Sequence, residues 1–180
     1  MIDYGGDMAE KEYIVIEEAA TIIAELKNKY PKILWAVEPS SVVTLGITNK
    51  EPPEGKKQPR RMAQIQKISP IMRAVLFHHG IHVIYTIEIN MVDWMGWGPA
   101  RRQWILLHEV SHIPALNEGG LVKHDVEDFA FMIEAEGVDW AIKENLPDLI
   151  HGDTYKFNEA LVTRLHMKDE YVLEENADKK

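Results

Sequence analysis

The run His108-Glu109-Val110-Ser111-His112 puts two imidazoles four residues apart and a carboxylate directly after the first. On a helix such a pair lies one turn apart on the same face, so both rings can converge on one ion while Glu109 points toward water bound beside it. That is the spacing a zinc hydrolase needs. A chain with 8 His in 180 residues and its glutamate content would produce this pattern by chance only about 0.04 times.

Catalytic zinc usually takes three protein ligands and keeps a fourth position for water. The chain has no cysteine, so the third ligand must be His, Asp or Glu. Pro114 ends the motif helix, and Asn117-Glu118-Gly119-Gly120 lets the chain reverse before His124 opens the next helix. His124 is therefore the first candidate. Glu134, further along that helix, is the second. Zinc held by neutral imidazoles lowers the pKa of its water to about 7, and Glu109 can take the proton and pass it to a leaving amine. Asp125, Glu127 and Asp128 are close enough in sequence to His124 to orient ligand imidazoles. Tyr155, His151 and His166 are candidate transition-state donors, and nothing in their spacing selects one.

The elements that must carry these groups can be read from periodicity and punctuation. Tyr13, Ile16, Ala20 and Ile23 predict a helix over residues 9–30, stopped by Pro31, although the run Tyr-Ile-Val-Ile is β-prone. Val43, Leu45 and Ile47 alternate with Thr44, Gly46 and Thr48 as in a strand with one buried face. Residues 50–61, with three prolines and almost no apolar atoms, read as a surface loop. A weak strand over 62–68 and a helical piece over 71–77 precede the clearest strand, residues 81–90, where odd positions are apolar. If that strand is the sheet edge beside the metal, an extended peptide can pair with it. Trp94 to Pro99 read as a turn, with the two tryptophans either lining a cleft or packing on the motif helix. Pro99 opens the motif helix and a last helix runs over residues 125–146, with Val126, Phe129, Ala130, Ile133 and Trp140 along one side.

Composition supports one domain over 1–180, with 1–8 and 168–180 expected to be loose. At 46% hydrophobic and 27% charged the chain excludes extended disorder, collagen and a disulfide-stapled scaffold. Neither a leader pattern nor an apolar run of about 18 residues is present, which predicts a cytoplasmic protein with no membrane role. The net charge of −9 disfavours nucleic acid. The exception is the basic stretch with Lys50, Lys56, Lys57, Arg60, Arg61, Lys67 and Arg73, for which a solvated loop is the simpler account.

His-Glu-Val-Ser-His-Ile-Pro at 108–114, followed by His-Asp-Val-Glu-Asp-Phe at 124–129, resembles the phage metallopeptidase family and, more distantly, the SprT and Spartan zincins. The likeness covers mainly residues 81–145. It implies a third histidine a short loop beyond the pair, followed by an aromatic residue, which maps onto His124 and Phe129. No metzincin glycine and histidine follow His112, and no Cys-rich zinc ribbon is present. The expectation is an α+β, minimal zincin-like fold: a three- or four-stranded, mainly antiparallel sheet with an N-terminal helix, the motif helix and a following helix. Its function would be Zn2+-dependent hydrolysis of a protein or peptide substrate. The alternatives are a binding protein with structural zinc, possible on nucleic acid, and a metal-free interaction protein.

Overall fold

The computed structural model describes residues 11–49, 62–114, 120–124 and 128–162. The basic loop over 50–61, both expected loose termini, Asp125, Glu127 and His166 lie outside the described residues. Strand β1 (Tyr13–Val15) precedes helix α1 (Glu17–Lys29), β2 (Val42–Ile47), β3 (Ala63–Lys67) and α2 (Pro70–His78). Then come β4 (Tyr85–Asn90), α3 (Met91–Gly96), α4 (Pro99–Ser111) and α5 (Ala130–Glu136). The fold class is α+β, as expected.

The sheet order is β1-β2-β4-β3. β1 runs antiparallel to β2 (Val15 opposite Leu45) and β3 antiparallel to β4 (Ile65 opposite Ile87), while β2 and β4 are parallel (Val42 opposite Tyr85). The expected edge strand is therefore corrected. β4 is interior, residues 81–84 are not strand, and β3 forms the edge. Along β4 the buried positions are Tyr85, Ile87 and Ile89, as alternation predicts. In β2 the face is inverted: Val42, Thr44 and Gly46 are the deeper residues and Val43, Leu45 and Ile47 are half-buried. Gly46 shows why, because a Cβ there would lie 2.2 Å from Met91 Sδ. Apolarity alone could not reveal that α3 presses on this face.

Three more expectations need correction. The β-prone Tyr-Ile-Val-Ile run forms β1 and not helix, because its backbone pairs with β2. The Trp/Gly turn begins as α3, capped by Asn90, whose Oδ1 accepts from Val92 N–H at 2.9 Å. The long helix over 125–146 reduces to α5 and a 3-10 turn at Trp140–Ile142. Gly137 separates them at φ 79°, a value that L side chains rarely adopt and that breaks the helix.

α1 lays Ala19, Ile22, Ile23 and Leu26 on α4, a helical stripe three and four residues apart. α4 opens on Pro99 and buries Gln103, Trp104, Ile105, Leu106 and Leu107 in succession, so it is enclosed all round over this stretch. Trp104 fills the centre and donates from Nε1 to Pro147 O at 2.9 Å. Gln103 donates to Asp148 Oδ1 (3.0 Å) and accepts from Leu149 N–H (2.6 Å), which stitches residues 147–151 to α4. Burial works against the Asp148 charge, but the N–H groups of His151, Gln103 and Ile150 hold its carboxyl down to about 2. Trp94 and Trp97 are core residues, which settles their role as packing. No helix among the described residues is long and apolar enough to cross a membrane.

Candidate metal centre

The last turn of α4 carries His108, and His112 caps its C-terminus with helical backbone angles. Their rings are 5.1 Å apart between centroids. After Pro114 the chain comes back against this helix end, where Val122 N–H donates to His112 O at 2.8 Å. In return His112 Nδ1 lies 2.6 Å from Val122 O, so the ring donates from Nδ1 and presents Nε2 as its lone-pair nitrogen. This two-way clamp sets the position of His124, two residues on. His124 Nε2 is 3.2 Å from His108 Nε2.

One ligand nitrogen from each of His108, His112 and His124 lies within 4.8 Å of the other two. Three nitrogens each about 2.0 to 2.1 Å from a common ion would be slightly more than 3 Å apart, so the cluster is close to a ligating arrangement. His124 reaches it from an irregular segment, and not from a helix start as expected, because α5 begins only at Ala130. Glu134 is exposed and outside the cluster.

Outer contacts fix the rings. Asp128 Oδ1 lies 2.9 Å from His108 Nδ1, so His108 also turns Nε2 to the cluster. Asp128 Oδ1 accepts from Phe129 N–H (2.7 Å), and Oδ2 accepts from Trp140 Nε1–H (2.6 Å). Burial opposes the Asp128 charge, yet His108 and these donors hold its carboxyl below the ordinary value. The His112 imidazolium is disfavoured chiefly by burial, then by the neighbouring His108 and His124. Its pKa falls to about 4 against the pull of the Val122 carbonyl. A neutral ring is the form that binds metal.

Glu109 is 5% exposed, and its Oε2 accepts from Ile65 N–H on β3 at 2.8 Å. In the β3–β4 ladder Ile68 N–H donates to Ile84 O, so alternation turns the backbone groups of Ala63 and Ile65 away from β4. Glu109 thus spans from the motif helix to β3, the edge strand among the described residues. A cavity of about 350 Å³ lies between them, lined by His108, Glu109, His112 and His124, by Met62 and by Ala63 to Ile65 of β3, and by Ile105, Leu121, Asp128, Trp140 and Ala141.

Trp140 had been placed only on a helix side by the sequence pattern. It is 2% exposed, stacks at 5.6 Å from the His108 ring and supports Asp128. Tyr155 donates to Ala135 O and Glu136 Oε1, both at 3.0 Å, and His151 pairs with Asp148, so neither borders this cavity.

The family model described as "Putative phage metallopeptidase" matches residues 11–152, which include every element named above. The chain belongs to this family. No curated protein and no solved structure matches it, so the more distant SprT and Spartan likeness gains no further support. Membership in a metallopeptidase family and the histidine cluster together mark the cavity as a site able to hold a metal ion.

Proposed function

We propose that this metallopeptidase family member hydrolyses peptide bonds with zinc held by His108, His112 and His124 and with Glu109 as general base. The observation that carries the reading is the convergence of three imidazole nitrogens in the same cavity as a buried carboxylate. A purely structural site has no need of that carboxylate. Zinc, when bound, polarises the scissile carbonyl and makes its water acidic enough to ionise near pH 7. Glu109 takes the proton from that water and delivers it to the departing amine nitrogen, while Ile65 N–H holds the carboxylate in place. The N–H and C=O groups of Ala63 and the C=O of Ile65 offer an extended peptide a strand edge to pair with along the cavity, the role first expected of residues 81–90.

Two measurements test this. Protein purified, given zinc and dialysed should retain one zinc per chain, and unfolded protein mixed with it should be cleaved, with a chelator abolishing cleavage and added zinc restoring it. A wild-type chain that retains no transition metal would overturn the reading.

The outer contacts give a second expected result. Asp128→Asn keeps shape but removes the charge behind His108, and should weaken zinc about 10-fold, as outer partners of metal ligands typically do. Trp140→Phe keeps the buried ring and removes the Nε1–H, and should weaken zinc about 3-fold by the same route. Because Trp140 works through Asp128, adding Trp140→Phe to Asp128→Asn should change affinity little further. Chelator competition on the three variants measures this. Fully additive losses would show that Trp140 acts independently of the carboxylate.

A further inference from the structure

α2 is a helix with no buried residue, although five of its nine positions are Ile, Met, Val, Leu or Phe. Ile71 is 80% and Phe77 65% exposed, and Met72, Val75 and nearby Ile81 are about half exposed. Ser69 caps the helix, its hydroxyl accepting from Met72 N–H at 3.3 Å, and Pro70 occupies the first turn. Local signals therefore start α2, but a helix of this length is marginal without an apolar face to bury. The five side chains together leave roughly 500 Å² of apolar surface open, at the upper end of what lone monomers show.

Beside the helix runs a groove of about 460 Å³, mainly apolar, lined by Pro70, Ala74 and Phe77 of α2 and by Ile81 and Val83 of the segment entering β4, with Arg73 and His82 at its polar positions. Ile71 and Val75, four residues apart, form an apolar ridge on the same short element. A twofold axis uses the same patch on both copies, so a ridge beside a groove lets each copy offer its ridge to the other's groove. We propose that α2 and this groove form a self-association surface through which two copies of the chain pair.

Area and charge both select a second copy as the occupant. Covering roughly 500 Å² on each partner buries roughly 1,000 Å², the lower bound for a specific interface and the size of a reversible one. α2 carries no Asp or Glu and a single permanent charge, Arg73, so pairing two copies buries little charge. A membrane surface fits less well, because an interfacial helix needs a Lys- and Arg-rich polar face and α2 carries Arg73 alone. The inference is independent of the peptidase reading.

The absence of cysteine makes the test clean, since an introduced thiol is the sole one in the chain. Sedimentation equilibrium of wild-type protein should show a monomer–dimer equilibrium with a Kd on the order of 10 µM. Ile71→Ser combined with Phe77→Ser should weaken it at least about 10-fold without lowering the Tm measured well below that Kd, where the chain is monomeric and both residues are already exposed. Mild oxidation should cross-link Val75→Cys or Ile71→Cys protein into dimers and leave Val138→Cys, exposed outside the patch, monomeric. A wild-type chain that stays monomeric at about 200 µM would overturn the proposal. So would a dimer indifferent to the double substitution, or a monomer that sediments with phosphatidylglycerol vesicles through α2.

Discussion

Glu109→Gln protein should retain one zinc per chain and the wild-type fold while its hydrolysis of a peptide substrate falls by on the order of 10² or more. The amide has the size of the carboxylate, and its oxygen can still accept the Ile65 N–H that Glu109 Oε2 accepts at 2.8 Å. It cannot take a proton from water. That separates the base from its anchoring role. Glu109→Ala would confound them, because it also leaves a buried backbone donor unpartnered, at a cost of about 1 to 3 kcal/mol. The check is kcat on a cleaved peptide alongside metal content and Tm. Wild-type turnover in Glu109→Gln would remove Glu109 from the chemistry while leaving the metal site standing.

How much of this site was legible in the sequence depends on how local each part is. The motif helix was, because Pro99 and Pro114 bracket it and helical geometry alone puts His108 and His112 on one face. The place of His124 was anticipated, but not its setting. The glycines before it do allow a reversal, yet what holds it is the reciprocal Val122–His112 contact, a backbone pairing that no residue type announces. Asp128 was one of three acidic candidates, and its partner proved to be His108 and not His124. Trp140 lay beyond reach, since Gly137 turns the chain between α5 and Trp140 and the expected continuous helix would have hidden that change of direction.

The sheet was legible strand by strand and illegible in its order. Alternation in β4 showed which side chains face inward, but says nothing about which strands flank it. β3, the weaker pattern, borders the cavity because its outward-turned backbone meets Glu109. Polar Gln64 and Gln66 on its exposed side fit an edge position in retrospect. The helix α2 illustrates the converse, being predictable from its cap and proline yet burying none of its own residues.

The second large effect concerns unequal histidines. His112→Ala should lower zinc affinity by on the order of 10³ or more, well beyond the loss of about 10- to 100-fold expected when an outer partner is removed. His124→Ala should cost less, on the order of 10². Both substitutions delete one imidazole from the cluster. Deleting His112 also removes the Nδ1–H that grips Val122 O, and with it half of the clamp that returns His124 to the helix end. One substitution thus perturbs two ligands, whereas exposed His124 takes no part in the Val122–His112 clamp. Competition with a chromophoric chelator measures each affinity, and circular dichroism confirms that α4 survives. Equal losses in the two variants would show that the Val122 clamp does not position His124. Wild-type affinity in His112→Ala would remove His112 from the metal site.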